Sequence, residues 1–414
     1  MRGEGEMHAS DVNKAFSSAA VEGEEAVAER EEAAAGREEV ATEKAMQQES
    51  QDYEALRAWF EAHKDEIFAN DTVGTGCFSY QPGEVVLAVT KRCNLWCKHC
   101  SISDFPEEEL STEECKAVIE DAAKIGKVKF AFTGGEPLLR EDIYELIEYA
   151  ASFDMQVVMA TNGTLITEDV AKKLKKAGLE RAAISIDGIG SFHDEFRGVE
   201  GAFARTLRGI RSCKKVGLAF QLFTTVSRLN YGEIPKIIRM ASRLNAFRIY
   251  LIYLIAVGRG RKISDACLSA EQNLQFFEFL LRTQPKTKVW LKPICNPQFW
   301  AFLRERNIVD DALCEKFVGC TAGITRFHIF PNGDVAPCAY LPLKVGNVKD
   351  ARFLEIARNA KEFRELRARN VKGRCSNCKY REICGGCRSR AFAVKGDFLA
   401  EDPVCPLATG ENEI

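Results

Sequence analysis

From residue 85 the chain alternates apolar runs with amphipathic stretches. The runs are VVLAV, KFAFTGG, QVVMATNG, AAISIDG, AFQLFTTV and FRIYLIYL. Each is continuous rather than alternating, the pattern of a strand covered on both faces. Between them, STEECKAVIEDAAKIG and EDIYELIEYAASF carry apolar residues at helical spacing. The first opens on Ser111 with Glu114 three residues on, a capping box. GAFARTLRGIRSCKKVG ends at Gly217, a helix stop. Six strands alternating with helices predict an α/β fold of parallel β/α units. Such units wind into an open sheet or a barrel, and barrels gather their sites at the C-terminal strand ends. TGGEP, TNG and SIDG stand at three such ends.

Outside this rhythm the pattern changes. Residues 1–50 are rich in alanine and glutamate and lack an apolar stripe, which predicts a disordered or loosely helical acidic tail. Residues 51–84 hold YEALRAWFEAHKDEIF (53–68), spaced for a docked helix, and a lead-in. The β/α region is expected over 85–310. Beyond it, 311–414 is turn-rich, with PNGD and CGGC, and reads as a small metal-organised domain. The longest apolar run, near 249–257, is strand-sized, so no membrane span is expected. The N-terminus has no signal-peptide pattern, and the expected location is cytoplasmic. Residues 1–50 hold 13 Asp/Glu and 5 Lys/Arg, a net −8 in a chain of −3, leaving the remainder at +5. A mildly basic body under an acidic tail is compatible with an anionic substrate.

There are 16 cysteines. Cys115, Cys213 and Cys267 are isolated and read as core thiols. Most others cluster, which points to metal before disulfide. KRCNLWCKHC places Cys93, Cys97 and Cys100 in C-x3-C-x2-C spacing. Three thiolates leave one iron of a [4Fe–4S] cube open. A zinc site completed by His99 is the alternative, although zinc sites favour paired C-x2-C ligands. Cys375, Cys378, Cys384 and Cys387 are likewise open to a zinc-ribbon reading.

The C-x3-C-x2-C motif just after the first strand resembles the radical S-adenosylmethionine (radical SAM) superfamily. The resemblance implies a partial (β/α)6, TIM-like barrel. It also implies a [4Fe–4S] cluster on Cys93, Cys97 and Cys100, and cleavage of S-adenosylmethionine to a 5′-deoxyadenosyl radical. GGEP resembles the segment that meets the amino group of S-adenosylmethionine, through Gly134, Gly135 and Glu136. Asn162 and Ser185 match positions that contact ribose and carboxylate; Asp187 shares that rim. Arg197 matches a place for pairing with the carboxylate. His99 stands where the family usually has an aromatic residue against adenine. The C-terminal cysteines resemble the SPASM extension, which binds up to two auxiliary [4Fe–4S] clusters. The resemblance assigns Cys320, Cys338 and Cys387 to one cluster, with Cys314 where some members place a fourth ligand. It assigns Cys375, Cys378, Cys384 and Cys405 to the other. The family usually spaces its last pair by three residues; here two stand in CGGC. Cys295 is left open, as a functional or a core thiol.

The run CAYLPLKVGNV…CGGCRSRAFAVKGDFLAEDPVC, with VGRGRK and KPICNPQFW, resembles the enzymes of alternative heme and heme d1 synthesis. That implies decarboxylation of a tetrapyrrole. Arg259, with Arg261 and Lys262, is then expected to pair with substrate carboxylates; a solvated loop is the other reading. The alternative is a maturase acting on a precursor peptide by thioether or carbon–carbon bond formation or decarboxylation. Either way the resemblance implies a low-potential electron donor such as ferredoxin or flavodoxin, and neither nucleic acid nor membrane as partner.

Overall fold

The apolar runs form one sheet in the computed structural model. It describes residues 44, 47, 48, 50–63, 83–102, 108–309 and 319–408. The strands are β1 (Glu84–Ala88), β2 (Lys129–Thr133), β3 (Gln156–Thr161), β4 (Arg181–Ser185) and β5 (Ala219–Val226). They continue as β6 (Arg248–Tyr253), β7 (Trp290–Ile294), β8 (Arg326–Ile329), β9 (Asp334–Ala336) and β10 (Gly346–Asn347). The order is β10-β9-β8-β1-β2-β3-β4-β5-β6-β7. β1 to β7 are successive parallel neighbours, and β8 pairs parallel on the other side of β1, with Glu84 opposite Arg326. β9 and β10 extend it antiparallel.

The six expected strands are present. β7 was not expected: it is short and interrupted by Pro293, which an edge strand tolerates because its N–H is not needed there. β8 was hidden for another reason. It lies among the cysteines, far along the chain from the β1 edge it completes.

Alternate residues of the strands face inward. Glu84, Val86 and Ala88 of β1, Lys129 and Ala131 of β2, Tyr250 of β6 and Arg326 of β8 all line one cavity. The sheet therefore curls round that space as an open barrel. The other face is dry: Val85, Leu87, Phe130 and Phe132 are at most 1% exposed. Each such side chain contributes about 1.5–3 kcal/mol by leaving water. Helix Thr112–Ala123 begins at the expected box, Ser111 Oγ accepting from Glu114 N at 3.2 Å and Glu114 Oε2 from Ser111 N at 2.7 Å. Helix Ala202–Val216 stops at Gly217, φ 71°. Cys115 and Cys213 are buried core thiols; Cys267 is half-buried, its thiol donating to Leu254 O.

Two compact units are distinguished, residues 1–55 and 56–414. The described residues of the first are helical. In the second, residues 56–63 are helical and bury Leu56, Trp59 and Phe60, the last with its ring 6.4 Å from that of Trp300. Most of the acidic tail, residues 64–82 and Cys314 lie outside the described residues. Among the described residues no helix is long and apolar enough to cross a membrane.

Candidate active site

Cys93, Cys97 and Cys100 stand on the loop after β1 and all line the cavity, whose volume is about 830 Å³. The loop is fastened on several sides. Trp96 N donates to Arg197 O and Lys98 N to Phe196 O, both at 3.0 Å. Arg259 N donates to Cys100 O and Arg259 Nε to Cys97 O, both at 2.9 Å. Gly135 N reaches Thr90 O at 2.7 Å and Glu136 N reaches Arg92 O at 2.9 Å. A Cβ on Gly134 would stand 2.3 Å from Thr90 O, and one on Gly135 2.2 Å from Arg92 O. Only glycine lets GGEP lie this close to the cysteine loop.

Other rim residues divide into those that face the cavity and those that brace it. Gly134, Gly135, Asn162, Ser185, His99 and Arg259 line it. Glu136 does not: it is fully buried, and its carboxylate accepts from Thr161 Oγ1 and Asn162 N at 2.8 Å and Leu138 N at 3.2 Å. Burial pushes its carboxyl up to about 7. Asp187 is also buried and bonds Arg197 Nη2 at 2.6 Å. Arg197 lines the cavity, and its guanidinium is held by that carboxylate and lies 3.6 Å from Cys97 Sγ. The His99 ring stacks on Phe196, centroids 4.8 Å apart, and burial holds it near pKa 4, so it is a neutral flat surface.

The remaining thiols fall into two groups. Cys320, Cys338 and Cys387 line the same cavity, and Cys295 joins them. The Cys295 thiol hydrogen-bonds Cys387, and its backbone is left-handed, φ 63°. That conformation is costly for a residue with a side chain and tends to mark functional positions. Cys375, Cys378, Cys384 and Cys405 form the other group, close enough to influence one another's charge. Asp402 braces both: it accepts from Cys387 N and Gln298 Nε2 at 2.7 Å and pairs with Arg390 at 2.8 Å. Sequence reasoning passed over Asp402; the only signal was an acidic residue just before the last cysteine. Lys292, the first residue of KPICNPQFW, and Arg326 also line the cavity, and sequence reasoning gave neither of them a role.

Among the described residues no three His, Cys, Asp or Glu side chains converge tightly enough for one metal ion. Across the described lining, seven Lys/Arg side chains face two glutamates and no aspartate.

Comparison with known proteins agrees with this arrangement. The radical SAM superfamily matches residues 87–241 and the SPASM iron–sulfur cluster-binding domain matches 320–388. The AdoMet-dependent heme synthase of Methanosarcina barkeri is 38% identical over 344 residues, 80% of this chain and 98% of its own. The Fe-coproporphyrin III synthase of the same organism is 36% identical, over 79% of this chain and 88% of its own. Among solved structures, Streptococcus suis SuiB bound to its precursor peptide SuiA overlays with TM-score 0.66 at 19% identity, covering 79% and 76% of the two chains. A barrel rim with three thiols, a second thiol group in the same cavity and these relatives establish that the chain is a radical SAM enzyme with a C-terminal SPASM iron–sulfur domain, belonging to the family of the AdoMet-dependent heme synthases.

Proposed function

We propose that this enzyme removes carboxyl groups from a carboxylated tetrapyrrole. The observation that carries the reading is the excess of cations in a cavity flanked by two thiol groups. The relatives at 36–38% identity bear the names of tetrapyrrole enzymes, whereas the 19% likeness to SuiB speaks for fold alone. The peptide-maturase alternative therefore has less support.

Cys93, Cys97 and Cys100 would hold the cluster that receives S-adenosylmethionine. Cys320, Cys338 and Cys387 would hold one auxiliary cluster, and Cys375, Cys378, Cys384 and Cys405 the other. When bound, these groups supply hydrogen-atom abstraction and a one-electron acceptor; the protein positions and shields. Gly134 and Gly135 leave room at the rim for a ligand's polar end. Asn162 and Ser185 offer hydrogen bonds from the next two strand ends, and the His99 ring offers a flat face. Glu136 and Asp187 act from beneath, fixing Asn162 and Arg197. The exposed Trp96, with Arg259 on its face, lines the same cavity. A cytoplasmic location and a ferredoxin- or flavodoxin-type donor belong to the same proposal.

The test is anaerobic incubation of reconstituted enzyme with S-adenosylmethionine, a reductant and iron coproporphyrin III. Products that have lost carboxyl groups, read by mass spectrometry, support the reading. Uncoupled 5′-deoxyadenosine with no change in any tetrapyrrole would sink it.

A further inference from the structure

One buried side chain of the cavity has no part in the chemistry above. His328 is the third residue of β8, is 2% exposed and lines the cavity. Among the described residues neither of its ring nitrogens has a hydrogen-bond partner. Buried polar atoms nearly always have one, so the exception asks for a ligand. The backbone fixes its place: His328 pairs with Val86 of β1 on one side and Ala336 of β9 on the other. Val86 lines the cavity, and strand alternation turns His328 inward with it. Phe327 packs the other way, against Phe353 and Phe363. The Phe330 ring stands edge-on to the imidazole, centroids 4.6 Å apart.

Burial, with the Arg326 charge nearby, holds this imidazole at about 3, so it is neutral and keeps a lone pair on one nitrogen. A neutral imidazole is a weak partner for a carboxylate and a good ligand for a metal ion. The surface beside it is apolar and built of small side chains. Val86, Ala131 and Val158 pack as one buried cluster, and Ala183 of the next strand also lines the cavity. Such a surface suits the flat, apolar centre of a macrocycle. His99, the other histidine of the described lining, has Nε2 3.9 Å from Asp187 and one face against Phe196. Rotation about χ2, a broad torsion in histidine, brings a His328 nitrogen to the cavity face.

We propose that His328 is the axial ligand to the central metal of the tetrapyrrole, so that the enzyme selects a metallated macrocycle over a metal-free one. One ring nitrogen gives its lone pair to an open axial position of the iron, and no electron is transferred. The proposal rests on the tetrapyrrole reading, and its test separates the two. Full-length reconstituted enzyme, labelled with the heavy nitrogen isotope at histidine, is given ferric iron coproporphyrin III without oxygen or reductant. Pulsed EPR of the porphyrin iron should show coupling to the label, which the unlabelled porphyrin nitrogens cannot supply. His328→Phe keeps a ring and loses both nitrogens. It should lose the coupling and bind the iron porphyrin roughly tenfold more weakly, with affinity for metal-free coproporphyrin III unchanged. In His328→Ala, added imidazole should restore the wild-type porphyrin spectrum. Iron content and a thermal melt establish that each variant is folded and loaded. Should neither fold, the coupling must persist in labelled His99→Phe, and its loss there overturns the proposal. A bound iron porphyrin without coupling to the label overturns the axial ligand and leaves the tetrapyrrole reading standing. Coupling that survives in folded His328→Phe also overturns it, since another histidine then holds the iron. Equal weakening for iron and metal-free porphyrin overturns it too, because the metal is then not what is read. Wild type that binds neither porphyrin overturns both.

Discussion

The guanidinium of Arg259 lies 4.1 Å from the centre of the Trp96 ring while its Nε donates to Cys97 O at 2.9 Å. A residue expected to greet substrate is therefore also a clamp on the cysteine loop. Arg259→Ala removes a cation–π contact and a hydrogen bond, together about 2 kcal/mol. The expected outcome is faster loss of iron from the first cluster when a chelator is added, with Arg259→Lys in between. Wild-type bleaching rates with weakened porphyrin binding would place the guanidinium on the substrate instead.

Gly135 has no room for a methyl group. In Gly135→Ala the new carbon would fall 2.2 Å from Arg92 O and 2.5 Å from Lys91 O, both backbone atoms that must move. Overpacking of this kind costs about 1–3 kcal/mol. A lower melting temperature should accompany loss of S-adenosylmethionine binding in equilibrium dialysis. Unaltered binding would show that the close approach does not serve the cofactor.

Cysteine variants should separate the roles of the two thiol regions. Cys97→Ala is expected to abolish 5′-deoxyadenosine formation. Cys378→Ala, in the outer group, should retain it better than it retains net decarboxylation. Equal loss of both in Cys378→Ala would mark that group as structural only.

Asp402 joins Arg390, Gln298 and the Cys387 amide in the buried interior. Asp402→Asn leaves the Arg390 charge without its partner, and breaking such a pair costs about 3–5 kcal/mol. Chemical denaturation should show that loss, together with lower iron retention at the auxiliary sites. Iron content and stability equal to wild type would refute the bracing role.

The Glu84 carboxyl, held at about 2 against an ordinary 4.5, makes stability depend on acid. Its folded value is depressed, so its contribution is complete above pH 4.5 and disappears as pH falls towards 2. The shift corresponds to up to about 3 kcal/mol. Glu84→Gln should lower stability at neutral pH and flatten the decline between pH 4.5 and 2 in denaturant titrations. A parallel decline in both proteins would assign the acid sensitivity elsewhere.

How much of this was legible depended on whether the signal was local. The capping box at Ser111, the Gly217 stop and the apolar runs are decided within a few residues, and the structure keeps them. C-x3-C-x2-C and GGEP are equally local. The partners that Arg197 and Glu136 take within the chain, Asp187, Thr161 and Asn162, were not legible, because only the curled sheet brings them near. Asp402, Lys292 and Arg326 were given no role, although the first two lie within stretches that carry the resemblance, because their meaning is a position in space. Cys295 stayed ambiguous in sequence since its distinguishing feature is a backbone angle.

The pairing of β8 with β1 bears on how this enzyme can be taken apart. β1 carries the cysteine loop at one end and Glu84 at the other, and β8 covers its open side. Cutting the chain before β8 would bare the ladder of β1 and leave Glu84 without Arg326. An uncovered, apolar strand edge invites pairing with other chains. The amino-terminal segment expressed alone should therefore aggregate, and chimaeras that exchange the auxiliary region will succeed only when the junction falls after Ile329.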